Sequence, residues 1–264
     1  MFKARNFSTA IGIMILAAIC ISGPAYSQQA VTFSEISDGL YVIDGGRGAK
    51  NYVYIGATGA ALIDTKMDEA SMRQVLDGIA KLTGKPLLFL IDTHSDADHV
   101  EGNRYVPESV TVISHENCRA EMFHPLRDGR STGWEDPARA PFLPEVCFTD
   151  SMSLHLGGSE RIVLRYFGPG HTTGDAVVWF PDRKTAIIGD QYAGGSIPCI
   201  HDYKGGNVFG HITQLERMLD ALDATVFLGG HSSPVGRKEI EAEIADMRRH
   251  IREMEGRLAA GATI

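Results

Sequence analysis

The sequence predicts an α/β protein, a four-layer αββα sandwich in which two mixed β-sheets face each other and helices cover the outside. Predicted strands precede a helix and a further strand in the first half, and a similar order follows in the second half. The apolar run at residues 86–91 is typical of a strand covered on both faces. Two similar halves packed face to face would bury the apolar sides of all these elements.

The first half contains three early strands and one amphipathic helix. Residues 40–44, 51–56 and 60–64 are predicted strands separated by glycine-bearing turns. Residues 68–82 have apolar side chains at helical spacing, and residues 86–91 form the next strand. A short helix is predicted at residues 116–124. Residues 124–144 are rich in Pro, Gly, Arg and Asp without a sustained period, which predicts a mobile surface loop that covers the site.

The second half returns to strands and ends in a long helix. Predicted strands lie at residues 151–156, 161–167, 176–180, 186–189 and 225–228. Helices are predicted at residues 209–222 and 238–258, the second with a single apolar stripe along a charged surface.

The N-terminus has the pattern of a secretory signal peptide. Lys3 and Arg5 precede an apolar run at residues 11–21, and the helix-breaking pair Gly23-Pro24 follows. The run is shorter than the roughly 20 residues that a spanning helix needs, so no stable membrane anchor is expected. We therefore predict cleavage near Ser27, a periplasmic or secreted protein, and a single domain over residues 28–264.

The net charge of the protein limits the molecules that it is expected to bind. The formal net charge is −8, and it becomes −10 when Lys3 and Arg5 are removed with the leader. A protein this acidic is not expected to bind nucleic acid or anionic membranes, which favours a small-molecule substrate.

Three cysteines remain after the leader, namely Cys118, Cys147 and Cys199. An odd number in an oxidising compartment means that at least one is unpaired or pairs between chains. A Cys118–Cys147 disulfide and buried unpaired thiols are both open from the sequence.

The segment at residues 93–99 concentrates ionisable groups directly after a buried strand. His94, Asp96, Asp98 and His99 fall within six residues. Ionisable groups beside a core are costly unless compensated, and a divalent cation compensates them directly. A calcium-binding EF-hand pattern does not fit, because it would need Val100 to be acidic and a glycine in place of Glu101.

Three more metal-ligand residue types follow later strands, each beside glycines. His171 follows residues 161–167, Asp190 follows residues 186–189, and His231 follows residues 225–228. Because all of them stand at the same end of successive strands, we expect them to share one site with residues 93–99.

This order of residues resembles the metallo-β-lactamase superfamily from about Asp64 to His231. The resemblance implies that family's fold, a structural role for Asp64, and one or two zinc ions. It also implies a first metal held by His94 and His171, a second held by Asp98, His99 and His231, and a bridging Asp190.

Asp96 departs from the family pattern, which usually has a histidine there. Carboxylate oxygen suits Fe or Mn better than imidazole does, whereas maturation outside the cytoplasm favours Zn²⁺. We expect Asp96 to ligate the first metal weakly or to turn away from it. If it ligates weakly, Asp96→His is expected to raise first-site affinity.

The mechanism that the resemblance implies is hydrolysis by a metal-bound hydroxide, with Asp98 orienting the nucleophile and Asp190 bridging the ions. A cyclic amide or ester, that is, a lactam or lactone, is the expected substrate. A non-hydrolytic metal-binding protein and an iron-dependent oxidoreductase of the same fold stay as alternatives.

Several residues outside the ligand set are candidates for substrate contact. They are His201, Lys204, Asn207 and Trp134, with Phe142 as a further candidate. The remaining histidines are expected at the surface or in satisfied structural positions, and these include His124, His155, His211 and His250.

Overall fold

The computed structural model describes residues 29–192, Gly194 and residues 198–261. The predicted signal peptide, with its apolar run and Cys20, lies outside these residues. Among the helices that are described, none is long and apolar enough to cross a membrane.

The first sheet has seven strands, and its spatial order follows the chain order. These are β1 (Thr32–Ser37), β2 (Leu40–Asp44), β3 (Asn51–Ile55), β4 (Ala60–Ile63), β5 (Leu87–Ile91), β6 (Thr111–His115) and β7 (Val146–Phe148). Strands β1 to β4 pair antiparallel, and β4 to β7 pair parallel. The sheet is therefore mixed, as predicted.

The second sheet has five strands. These are β8 (Ser151–Leu154), β9 (Ile162–Tyr166), β10 (Ala176–Phe180), β11 (Thr185–Gly189) and β12 (Val226–Gly229). Their spatial order is β12-β11-β10-β9-β8, and only the β11–β12 pair is parallel.

The described chain has five α-helices, namely α1 (Glu69–Leu82), α2 (Ala97–Val100), α3 (Glu116–Glu121), α4 (Val208–Ala221) and α5 (Arg237–Ala259). Asp68 starts α1 by accepting a hydrogen bond from the Ser71 backbone N–H at 2.8 Å. Asn207 starts α4 in the same way, with Gly210 as the donor. Helix α1 connects the parallel strands β4 and β5, and α4 connects β11 and β12.

Alternation along the strands creates three packed layers of apolar side chains. In β3, Tyr52 and Tyr54 belong to the core between the two sheets, whereas Val53 faces the core under α1. In β11, Ile187 faces the other sheet, and Ile188 packs in the core that includes residues of α4 and α5. Because strand side chains alternate between faces, each sheet is covered on both sides, which gives the αββα order.

The structure differs from the sequence prediction at three strands. Strands β1, β6 and β7 were missing from the prediction, although the other predicted strands and long helices are confirmed with boundaries shifted by a few residues at most. Strand β7 has only three residues, too few to display a period. The described cysteines form no disulfide; Cys118 is buried, and Cys147 and Cys199 are exposed as free thiols. The Cys118–Cys147 alternative is therefore wrong in this structure, and so is the burial of all three thiols.

Candidate metal centre

The candidate ligands lie where strands of both sheets end at one edge of the sandwich. Asp64 follows β4, His94 follows β5, Asp190 follows β11, and His231 follows β12. Gly230 is needed for this convergence, because a Cβ atom there would lie 2.4 Å from Asp190 Oδ1. A Cβ atom at Gly230 would also lie 2.6 Å from His99 Cε1, so the glycine before His231 leaves room for both Asp190 and His99.

A first group of ligand atoms is formed by His94, Asp96, His171 and Asp190. One atom from each lies within 4.8 Å of all the others. Asp96 Oδ2 is 3.1 Å from His171 Nε2 and 3.7 Å from His94 Nε2. Asp96 therefore points toward the candidate position of the first metal and does not turn away from it.

A second group consists of Asp98, His99 and His231, whose ligand atoms also lie within 4.8 Å of one another. Asp98 Oδ2 is 2.9 Å from His231 Nε2. Asp190 lies between the groups, with Oδ1 3.2 Å from His99 Nε2 and Oδ2 3.9 Å from His94 Nε2. The structure thus brings together all seven residues that were predicted as ligands.

Three atoms of these groups are buried without a hydrogen-bond partner, namely His94 Nε2, His99 Nε2 and Asp190 Oδ1. A buried polar atom without a partner is costly, and converging imidazole nitrogens and a carboxylate oxygen are donors that a divalent ion accepts. The residues present therefore fit a divalent metal ion.

Hydrogen bonds behind the ligands fix the orientation of their rings. Asp64 Oδ2 lies 2.8 Å from His99 Nδ1 and also accepts a bond from the Thr93 hydroxyl. His171 Nδ1 donates to the Cys199 carbonyl at 2.6 Å. These bonds direct Nε2 of His99 and of His171 toward the candidate metal positions, as expected for metal-binding histidines.

Asp96 has two further partners that come from a distant part of the chain. Lys204 Nζ donates to Asp96 Oδ1 at 2.6 Å and to the Ser95 hydroxyl at 2.9 Å. His201 Nε2 lies 2.8 Å from Asp96 Oδ2. Lys204 and His201 were predicted to contact substrate. In this structure Lys204 Nζ and His201 Nε2 face Asp96, so substrate contact stays a prediction.

In both ligand groups, neighbouring residues of opposite charge stabilise the ionised forms of the side chains. Burial would lower the pKa of His171, but its hydrogen bond to Asp96 and nearby carboxylates raise that pKa to about 9. Burial opposes ionisation of Asp190, yet His99, His94 and His231 hold its pKa below the ordinary value. Burial also opposes ionisation of Asp98, but its hydrogen bond to His231 and the charges of His99 and His94 together lower its pKa. Asp98 and Asp190 are therefore carboxylates at neutral pH.

A cleft of about 280 Å³ opens beside the two groups. Its lining includes Asp96, Asp98, Trp134, His201, Tyr203 and Lys204. Trp134 was predicted to contact substrate; it lines the cleft, but only 3% of its surface is accessible, because it packs against Val100 and Met122. Asn207 is exposed and caps α4 instead of lining this cleft, so its substrate contact stays a prediction.

The sequence analysis missed Ser95 and Glu121 as parts of the site. The Ser95 hydroxyl donates to Glu121 Oε2 at 2.7 Å, and the Thr173 backbone N–H donates to Glu121 Oε1. No local pattern links these residues, because Glu121 is 26 positions from Ser95 and 52 from Thr173. Among the other histidines, His124 and His155 are exposed as expected, and His211 is fully buried next to Gln214.

Comparison with known proteins agrees with the geometry of the site. The sequence profile of the Metallo-beta-lactamase superfamily matches residues 44–231. The chain belongs to this superfamily. The match covers the whole interval from Asp64 to His231 and confirms the resemblance that the motifs indicated. The chain is therefore a member of the metallo-β-lactamase superfamily with a candidate His/Asp metal site.

Two curated relatives illustrate the breadth of the superfamily around this chain. The 2,4-dinitroanisole O-demethylase subunit alpha of a Nocardioides species is 27% identical over 191 residues, which is 71% of this chain and 54% of that protein. Metallo-beta-lactamase type 2 of Elizabethkingia meningoseptica is 28% identical, over 62% of this chain and 64% of that protein. The chain thus matches less than two thirds of the length of either relative.

Solved structures confirm the metallo-β-lactamase fold. A metallo-beta-lactamase from Pontibacter korlensis superposes with a TM-score of 0.70 and 17% identity, covering 83% of this chain and 99% of that one. The FIM-1 metallo-beta-lactamase from Pseudomonas aeruginosa, in a mono-zinc form, gives a TM-score of 0.67 with 16% identity over 84% of this chain and 97% of that one. At these identities the likeness shows the fold alone.

Proposed function

We propose that this protein is a zinc-dependent hydrolase that opens a small cyclic amide or ester, such as a lactam or a lactone. The observation that carries the proposal is the pair of ligand groups that meet at Asp190 beside a cleft of about 280 Å³. A divalent ion bound there would supply a nucleophile from water at neutral pH and polarise the scissile carbonyl.

The chain's own residues have separate tasks in this proposal. Asp98 lines the cleft and is ionised, so it can orient a water molecule and accept its proton. Asp190 lies between His94 and His99 and would hold the two ligand groups at a fixed separation. His94, Asp96 and His171 would hold one ion, and Asp98, His99 and His231 the other.

The size of the cleft favours a small substrate, and its lining carries more carboxylates than cationic groups. Asp96, Asp98 and Glu101 contribute carboxylates to its lining, and Lys204 is bound to Asp96. The names of other relatives refer to different substrates, and these relatives include a hydroxyacylglutathione hydrolase and a linear primary-alkylsulfatase. The choice of a carbonyl substrate therefore rests on the cleft and on the lactamase relatives.

The choice of zinc rests on the imidazole ligands. Four histidines face the two groups, and neutral imidazole suits Zn²⁺, whereas Asp96 would also suit Fe or Mn. An exported protein that folds in the periplasm or outside the cell would acquire its metal there. Export follows from the predicted signal peptide and is part of the proposal.

Metal removal tests the proposed chemistry. We expect the purified protein to bind one to two equivalents of divalent metal and to hydrolyse nitrocefin or a lactone, and we expect a chelator to abolish turnover until Zn²⁺ is restored. Turnover should be measured on a panel that adds thioesters and sulfate and phosphate esters. Undiminished turnover by rigorously metal-free protein would refute a metal-dependent hydrolase, whereas turnover confined to the other esters would refute the lactam and lactone assignment.

A further inference from the structure

The two ligand groups differ in how their carboxylates are compensated. Asp96 of the first group accepts a bond from the Lys204 ammonium at 2.6 Å. In the described part of the chain, no lysine or arginine lies within 4.0 Å of the carboxylates of Asp98 or Asp190, whose ion-pair partners within that distance are histidines. The first group therefore contains an internal cation that the second group lacks.

Lys204 is held in place from several directions. Its side chain is only 4% exposed, and Nζ also donates to the Ser95 hydroxyl at 2.9 Å. Ser95 in turn donates to the buried Glu121, which Thr173 fixes through its backbone N–H. The backbone N–H of Lys204 donates to the His201 carbonyl, and Gly205 follows in a left-handed conformation with φ of 81°. The ammonium is thus built into the site and has little freedom to move away.

We propose that Lys204 is a positioning residue that weakens the first metal site, so that the protein fills the group of Asp98, His99 and His231 first. Its ammonium neutralises Asp96 and repels a divalent ion that would bind to the other oxygen of the same carboxylate. The charge difference favours this order, because ligand groups with uncompensated carboxylates attract cations more strongly than a carboxylate paired with lysine.

The inference rests on the proposed metal-dependent function and refines it. It assigns Lys204 to the metal centre instead of to an anionic group of the substrate. It also separates the roles of the two oxygens of Asp96. Oδ2 faces His171 and would be the ligand atom, whereas Oδ1 accepts a hydrogen bond from Lys204.

The test is a metal titration of the metal-stripped mature protein with Zn²⁺ against a chromophoric chelator, which reads affinity and stoichiometry without activity. We expect the wild type to bind one equivalent tightly and a second at least about a hundredfold more weakly. In Lys204→Met we expect the weaker step to tighten at least about tenfold and the tighter step to change less than about threefold.

Matched variants separate the effect of the Lys204 charge on metal binding from the effect of its packing. Lys204→Arg keeps the positive charge and should behave like the wild type. Lys184→Met removes an exposed lysine paired with Asp223, and it should leave both steps unchanged. Lys204→Gln is neutral but keeps a hydrogen-bond donor, so it replaces Lys204→Met if that variant fails to fold. In a His171→Ala background the effect of Lys204→Met should disappear, because the first site is then incomplete.

The proposal would be overturned if the second, weaker Zn²⁺ equivalent bound no more tightly to Lys204→Met and Lys204→Gln than to the wild type. Lys204 would then only orient Asp96. Two equally tight steps in the wild type would also overturn it. Neither result would affect the proposed hydrolysis, which is judged by chelation and reconstitution of turnover. Conversely, the predicted binding pattern in a protein without hydrolytic turnover would support the inference and refute the proposed function.

Discussion

At the scale of single residues, Asp96 is the position that sets this chain apart from the usual pattern of its superfamily. Its side chain lies among His94, His171 and His201, and its second oxygen is bound to Lys204. A histidine at this position would therefore lie next to the buried ammonium of Lys204. The effect of substituting Asp96 cannot be separated from Lys204, because residues in direct contact do not contribute independently.

We predict that Asp96→His alone fails to strengthen the first metal site. The imidazole removes the negative charge that compensates Lys204, and the uncompensated ammonium then opposes a cation in the same site. We expect Asp96→His combined with Lys204→Met to bind the second equivalent of Zn²⁺ at least about tenfold more tightly than Asp96→His does. Competition titration of both variants measures the difference. Equal affinity in the single and double variants would contradict the coupling between these positions.

At the scale of elements, the segment at residues 124–144 is connected to the part of the chain that carries Asp98 and His99. Residues Pro137–Phe142 form a short 3-10 helix within it. Trp134 packs in a small apolar cluster with Val100, which directly follows His99. Arg139 lies 5.5 Å above the Trp134 ring and 3.2 Å from Glu101, which follows Val100. The predicted cover over the cleft is thus attached to α2 through packing and an ion pair.

We predict that Trp134→Ala lowers the free energy of unfolding by about 3 kcal/mol, because it leaves a cavity in the cluster beneath the cleft. We also expect weaker binding of metal at the second group, since the cavity loosens α2, which carries Asp98 and His99. Urea unfolding and metal titration measure the two effects.

Phe123→Ala is the matched control for this prediction. Phe123 is 39% exposed and lies next to Met122, a member of the same cluster. Its removal should cost less than about 1 kcal/mol and leave metal binding unchanged. If Trp134→Ala proved as mild as the control while changing substrate preference, Trp134 would be a substrate contact and not a structural anchor.

At the scale of the whole molecule, the metal-free and metal-loaded proteins should respond to pH in opposite directions. In the metal-free protein the pKa of His171 is raised from 6.5 to about 9, and the pKa of His231 is also raised. A group whose pKa rises on folding stabilises the fold below its ordinary pKa and loses this contribution as pH rises toward the folded value. The pKa of Lys66 is lowered by burial to about 8. This group therefore increases the stability of the fold as pH rises above about 8.

We therefore predict that the metal-free protein loses on the order of 1–2 kcal/mol of stability between pH 6.5 and 8. The metal-loaded protein should gain stability over the same interval, because protons compete with metal for the imidazoles. Urea unfolding at several pH values tests both directions. His171→Gln should reduce the loss in the metal-free protein, and a metal-free protein that becomes more stable from pH 6.5 to 8 would contradict the prediction.

The sequence by itself determined the class of fold and the composition of the candidate metal centre. Helix α1 and most strands were predictable because hydrophobic periodicity is a local property that survives folding. His94, Asp98, His99, His171, Asp190 and His231 were identifiable because each lies within a few residues after a predicted strand or in the dense segment at residues 93–99. Their order along the chain also indicated the family.

Only the tertiary structure decided how Asp96 is compensated and where Trp134 lies. Lys204 is 108 positions from Asp96, and Glu121 reaches Thr173 over 52 positions. Such contacts depend on how the two sheets and the connecting segments pack, and no spacing along the chain records them. Trp134 stands in a stretch without periodicity, so its burial follows from packing against Val100, Met122 and Leu143, which are distant along the chain or irregular in spacing. Local patterns determine elements, whereas packing between distant segments determines the charge balance of the site.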